Sequence, residues 1–324
     1  MPLLETLEEK TATRASNWPV PVSGDIGMVR TVFVNLFLCG RPGAPSGSWV
    51  LVDGGLPGSA SLIVRAAREW IGPWARPAAI LLTHGHFDHV GSLPQLAELW
   101  DVPVFAHRLE LPYLTGRSAY PPPDPTVGGG AMSALSWLYP RGPFNFRKRI
   151  RPLPEDGTVP FMPGWRWVPT PGHSPGHVSL FRQEDRTLIA GDAVVTTKQE
   201  SALAAITYKP ELHGPPKYFT PDWGAARRSV AALAELEPEL LVTGHGPPLQ
   251  GPGVAPQLRH LAREFERVAV PARGRYVERP AVSDERGVVS LPPARPSPVP
   301  RVLLAIGAGL LLGNLFRRSF RRAQ

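Results

Sequence analysis

The feature that most constrains this chain is the segment Thr83-His84-Gly85-His86-Phe87-Asp88-His89, which directly follows the apolar run Ala78–Leu82. A short apolar run of that kind reads as a buried strand. Side chains just past its end emerge together at the edge of a layered fold. Three imidazoles and a carboxylate crowd into this one exit. The spacing lets His84 and His86 face one ion while Asp88 and His89 face another. Imidazole suits borderline divalent ions, and a carboxylate adds affinity for a harder one. Three further exits repeat the pattern. Pro171-Gly172-His173 follows a strand ending at Val168, Gly191-Asp192 follows Leu188–Ala190, and Gly244-His245-Gly246 follows Leu241–Thr243. Each donor lies beside a glycine that permits a tight turn. The set is five histidines and two aspartates. Two four- to five-coordinate ions need about that many donors, with an aspartate and a hydroxide bridging them.

The rest of the chain reads as strands alternating with helices. Ile26–Leu38 is expected to be one strand and Trp49–Val52 the next, with Gly40–Gly47 as the turn between them. A helix over Ser61–Ile71, a strand at Ala78–Leu82, a helix at Leu93–Trp100 and a strand at Val102–Phe105 follow. Such alternation is the pattern of a layered α/β domain. Pro112 to Arg151 is different. It carries Tyr120-Pro-Pro-Pro-Asp-Pro, a triple glycine at 128–130 and the basic cluster Arg147, Lys148, Arg149 and Arg151. An excursion this long reads as a lid or binding loop. Strand signals return at Thr158–Phe161, Trp165–Val168, Val178–Arg182, Thr187–Ala190 and Leu240–Thr243. Asp222 is a good helix start for Trp223–Leu236, and Pro256–Val268 reads as a helix.

The ordered motifs Asp53-Gly54-Gly55, Thr83–His89, Thr170–His177, Gly191-Asp192 and Gly244-His245 resemble those of the metallo-β-lactamase superfamily. The resemblance implies an αββα sandwich of two mixed sheets with outer helices and a metal site at one edge. Carried over by motif, His84, His86 and His173 hold one ion, Asp88, His89 and His245 hold the other, and Asp192 bridges them. Asp53 orients the loop around His84 from behind the ligands. Zinc is the first choice of ion, with iron or manganese as alternatives. His177 is expected to be a structural hydrogen-bonding residue, and Cys39, the lone cysteine, a core residue.

A two-ion site lowers the pKa of a bound water and holds a developing oxyanion. Asp88 is expected to orient the nucleophile and pass a proton to the leaving group. The resemblance implies that true β-lactamases lack a carboxylate at the position of Asp192, whereas thioester and lactone hydrolases have one. The expected activity is therefore hydrolysis of an ester, thioester or lactone of a small acyl substrate, in the broad class of ester hydrolases. The glyoxalase II branch adds a C-terminal helical domain with basic residues, where this chain has one helix. A single-metal sulfur oxygenase of similar fold does not need the second donor set. A metal-dependent phosphodiesterase or ribonuclease is the alternative, and a catalytically inactive metal scaffold another, although no ligand is missing. Leu111–Gly116 and Tyr218–Trp223 resemble stretches of bacterial metallo-hydrolases. With the insert they are expected to shape the pocket, where Trp137, Tyr139, Tyr208 and Tyr218 pack on an acyl group and Tyr208 or Tyr218 assists an oxyanion.

Charge bears on partners. The chain has 35 basic and 27 acidic side chains, a net of +8. Ten arginines against three acids fall between residues 271 and 324, which leaves residues 1–270 close to +1. A nearly neutral body offers no nucleic-acid surface. The expected organisation is a catalytic domain at 1–270 with an insert at 112–151, a Pro/Arg-rich linker at 271–300, and an Arg-flanked apolar tail at 301–324. Val302–Phe316 is uncharged. It spans about 22 Å as a helix, short of the roughly 20 residues of a comfortable crossing. It is expected to associate with a membrane, spanning it or lying on it. The N-terminal stretch is mildly acidic and has no signal-peptide pattern, so the body is expected in the cytoplasm.

Overall fold

The computed structural model describes residues 19–296. Seven strands form the first sheet in sequential order: β1 (Val20–Ser23), β2 (Ile26–Thr31), β3 (Val34–Cys39), β4 (Val50–Val52), β5 (Ala79–Leu81), β6 (Ala106 being the last residue of Val104–Ala106) and β7 (Ile150–Pro152). A second sheet of five strands has the order β12-β11-β10-β9-β8, comprising β8 (Trp165–Pro169), β9 (Val178–Arg182), β10 (Thr187–Ile189), β11 (Leu240–Val242) and β12 (Leu249–Gln250). The β1–β4 end is antiparallel, whereas β4, β5, β6 and β7 run parallel. Parallel neighbours need crossovers, and the helices Ala60–Trp70 and Leu93–Trp100 supply them.

The layering follows from period-two alternation in strands buried on both faces. Leu36, Leu38, Leu51 and Ile80 point outward onto Ile63, Ala66, Ala67 and Trp70 of one helix and Leu93, Leu96, Ala97 and Trp100 of the other. Their alternates Phe37, Cys39, Val50, Val52 and Leu81 point inward and meet Val178, Leu180, Ile189 and Val242 of the second sheet. The outer face of that sheet, with Phe181, Leu188 and Leu241, packs on the helices Trp223–Glu235 and Val254–Arg263. Each fully buried Leu, Ile or Phe contributes about 1.5–3 kcal/mol. The result is a mixed α/β fold of the metallo-β-lactamase type, with helices outside two sheets. Because β10 and β11 are parallel and β8 is antiparallel to β9, which is itself antiparallel to β10, the C-terminal ends of β8, β10 and β11 share one edge. Asp192 and His245 leave from that edge.

Several boundaries differ from the sequence reading. Ile26–Leu38 is two strands, because the chain reverses at Val32, whose φ is 63°. No Gly, Pro or Asn marks this turn. Thr158–Phe161 forms only an isolated bridge from Thr158 to Arg166. The helix expected over Pro256–Val268 is interrupted at Glu264, which separates Val254–Arg263 from Phe265–Val268. The linker expectation also needs correction. As far as residue 296 the segment is packed on the body: Tyr276 is buried, its hydroxyl donates to the Pro122 carbonyl at 2.6 Å, and β13 (Val282–Asp284) pairs with β14 (Gly287–Ser290). The many prolines suit this course, since they need no acceptor for an N–H. Residues 297–324, including the apolar segment 302–316, lie outside the described residues. Among the described residues no helix is long and apolar enough to cross a membrane.

Candidate metal centre

The seven donors predicted from sequence converge. Three groups of ligand atoms lie within 4.8 Å of one another: His84, His86 and His173; His84, His89 and Asp192; and Asp88, His89 and His245. All seven residues are buried. Asp192 is central. Its Oδ1 lies 3.6 Å from His89 Nε2, and its Oδ2 lies 3.4 Å from His173 Nε2 and 3.1 Å from His245 Nε2. His245 Nε2 is in turn 3.5 Å from Asp88 Oδ2. Such proximity needs a close backbone approach at Gly244. A Cβ there would meet Asp192 Oδ1 at 2.0 Å and His89 Cε1 at 2.8 Å.

The rings are aimed by groups behind them. Asp53, just past β4, accepts from the Thr83 N–H, the Thr83 hydroxyl and His89 Nδ1, each at 2.8 Å. It therefore fixes both the loop entering His84 and the tautomer of His89. His245 Nδ1 donates to the Phe33 carbonyl at 2.8 Å, so the unpredicted turn at Val32 carries an orienting acceptor. His86 is held between two rings, Phe219 stacked at 4.5 Å and Tyr120 edge-on at 4.7 Å. His177 is structural: its Nε2 accepts from the Asp192 N–H at 2.9 Å and its Nδ1 meets the Thr170 hydroxyl at 2.8 Å.

Two observations test whether a divalent ion fits. His84 Nε2, His89 Nε2 and Asp192 Oδ1 are buried and have no hydrogen-bond partner. Left alone, each such atom costs about 1–3 kcal/mol, and each belongs to one of the donor groups. Protonation also favours ligation. Burial holds His84 and His173 well below the ordinary imidazole range and His86 at about 3, so their lone pairs stay free. Burial opposes the charge on Asp192, yet His245 and His89 hold its carboxyl well below the usual range. Three neutral imidazoles beside an ionised aspartate suit zinc-like cations. Against burial, Asp192 and its acidic neighbours raise His89 and His245 above the ordinary imidazole range, so an ion displaces their protons as it binds.

The aromatic residues divide. Tyr139 and Tyr218 stand 5.8 Å apart and form a wall with Phe87 and Phe219, beside Asp88. Burial pushes both tyrosine hydroxyls up, with the Asp88 charge adding to the effect. Trp137 is 49% exposed and takes no part in these ring contacts. Tyr208 serves elsewhere: its hydroxyl donates to Asn35 Oδ1 at 3.0 Å, and Asn35 Nδ2 donates to the Thr243 and Gly246 carbonyls at 2.9 and 2.7 Å. It thus braces the His245 turn. The expectation that Tyr218–Trp223 shapes the pocket included Phe219; the sequence reading missed Asn35 and a further buried carboxylate, Glu110, which joins two of the donor loops.

A profile of the metallo-beta-lactamase superfamily matches residues 32–245, a span that includes every one of these donors. The chain belongs to the metallo-beta-lactamase superfamily. It is 47% identical over 234 residues to the probable metallo-hydrolase YflN of Bacillus subtilis (strain 168), covering 72% of this chain and 88% of that one. It is 34% identical over 196 residues to the probable metallo-hydrolase YybB of the same organism, covering 60% and 74%. Among solved structures it is similar in fold to the archaeal superfamily protein ST1585 from Sulfolobus tokodaii. That match has a TM-score of 0.50 and 18% identity and covers 78% of this chain and 90% of the other. Superfamily and donor set together make this a metal-dependent hydrolase.

Proposed function

We propose that the protein is a two-ion hydrolase acting on the carbonyl of a small ester, thioester or lactone, with zinc as its ion. The position of Asp192 carries this reading: its carboxylate touches His173 from one donor group and His245 from the other. Bound here, divalent ions would supply Lewis acidity and an activated water. His84, His86 and His173 would hold one ion, Asp88, His89 and His245 the other, and Asp192 both. Asp88, whose carboxyl burial pushes up, is suited to hold and release a proton for a leaving group. The wall of Phe87, Tyr139, Tyr218 and Phe219 favours an apolar acyl group beside it and excludes water. Its apolar character and the near-neutral body favour acyl over phosphodiester substrates. The test is a panel of thioesters, lactones, carboxylic esters, phosphodiesters and β-lactams on zinc-loaded protein. Turnover of a carbonyl substrate that falls at least about 100-fold in Asp192→Ala supports the reading. Turnover of phosphodiesters alone, or an Asp192→Ala variant as active as wild type, contradicts it.

A further inference from the structure

Glu110 ends the short turn Arg108–Glu110 that follows β6, and it belongs to none of the donor groups. It is nevertheless 0% exposed. Its Oε2 accepts from the Gly85 N–H at 2.9 Å and from the Tyr120 hydroxyl. Its Oε1 accepts from the Ser174 hydroxyl at 2.8 Å and the Gly176 N–H at 2.7 Å. Gly85 lies between His84 and His86, and Ser174 follows His173. One carboxylate thus ties together the two loops that carry the all-imidazole group, and Tyr120 ties in the insert. Asp88, His89 and His245 have no bond to it.

We propose that Glu110 is a positioning residue for the His84–His86–His173 set, fixing the gap between its two loops and hence the ion affinity of that half of the centre. The inference rests on the reading that these histidines hold an ion. Four donors on one carboxylate offset the heavy cost of burying it, and hydrogen bonds to a charged acceptor are about twice as strong as neutral ones. Two of the donors are backbone N–H groups, which cannot turn toward another acceptor. An apolar residue would fill the space but leave both unsatisfied. The loop also presses directly on the network: a Cβ at Gly85 would sit 2.4 Å from the Tyr120 hydroxyl oxygen. In Glu110→Gln either amide orientation turns an NH2 toward the N–H of Gly85 or of Gly176. One loop is then released while the side-chain shape is kept.

The test titrates metal-free, full-length protein with Zn2+ by calorimetry and with Co2+ by absorption. Glu110→Gln is expected to weaken one binding step about 10–100-fold and leave the other within about threefold, the range for groups that orient metal ligands. The loss should persist when His245→Ala has removed the other set, and vanish when His84→Ala has removed this one. Tyr120→Phe and Ser174→Ala each delete one hydroxyl donor and keep the backbone bonds. They should weaken the same step less, and they decide the matter if Glu110→Gln fails to fold. Equal weakening of both steps, or no change in any folded variant, overturns the inference. Wild-type protein that binds fewer than two ions overturns the underlying two-ion reading instead.

Discussion

Asp53→Asn tests how the structure controls a ligand from behind. Asp53 Oδ1 takes the Thr83 N–H, and Oδ2 takes both the Thr83 hydroxyl and His89 Nδ1. With Nδ1 protonated, His89 presents its Nε2 lone pair toward Asp192 and the ion. An amide cannot satisfy this arrangement. With its NH2 at the Oδ2 position it faces the His89 N–H, and the ring relieves the clash only by moving its proton to Nε2, where it blocks ligation. With the amide flipped, the NH2 faces the Thr83 N–H instead. The Thr83 hydroxyl can turn to accept in the first case, so the variant leaves one mismatched donor pair in a buried place. That should cost about 1–3 kcal/mol of metal-free stability, which a domain of ordinary stability survives. Ion affinity should fall about 10–100-fold, or about 1.4–2.7 kcal/mol, in the step that uses His89. Calorimetric titration with Zn2+, alongside thermal unfolding of the metal-free form, measures both quantities. A folded Asp53→Asn protein that binds both ions like wild type would refute the claim that Asp53 sets the His89 tautomer.

Gly244→Ala drives a methyl into Asp192 Oδ1 and His89 Cε1, and the backbone is pinned by bonds from the Asn35 N–H at 2.7 Å and to the Gly191 carbonyl at 2.9 Å. Overpacking of this kind costs about 1–3 kcal/mol, and elemental analysis should show lost metal; full retention would be contrary. Metal-free protein should lose stability as pH falls below about 6.5. Burial depresses His86 and His177 to about 3, so the unfolded chain binds protons first, at up to about 1.4 kcal/mol per pH unit for each histidine. The raised values of His89 and His245 act in the opposite sense, but His84 and His173 are also depressed. Melting temperatures that hold steady or rise from pH 7 to 5 would contradict this sign. Tyr208→Phe should cost about 1 kcal/mol through its lost bond to Asn35 and change kcat little; a large kcat loss with unchanged stability would restore a role at the oxyanion.

The donor positions are legible in the sequence for a physical reason. A short apolar run bounded by turn residues reads as a buried strand, and a histidine or aspartate beside a glycine at its end then leaves the core at the sheet edge. That logic reached His84, His173, Asp192 and His245 from local text alone. Asp53 was reached through a motif, although its bond to His89 came only from the fold. Glu110 could not be reached this way, because its partners on the two donor loops lie 25 and 64–66 residues away and it follows no apolar run ending in a glycine. The turn at Val32 was hidden because residues of strand-forming type bear it. Proline content misled at 271–296. The composition suits an extended linker, but Tyr276 buries its ring and the prolines bring no N–H that needs an acceptor.

The central claim is that five histidines and two aspartates, meeting at one edge of the sandwich, make a centre for two ions shared by Asp192. The most direct measurement is the divalent metal content per chain of protein purified without chelator and loaded with zinc. Two ions per chain are expected, falling to one or fewer in Asp192→Ala. A single ion in the wild type, or two retained in Asp192→Ala, would contradict it.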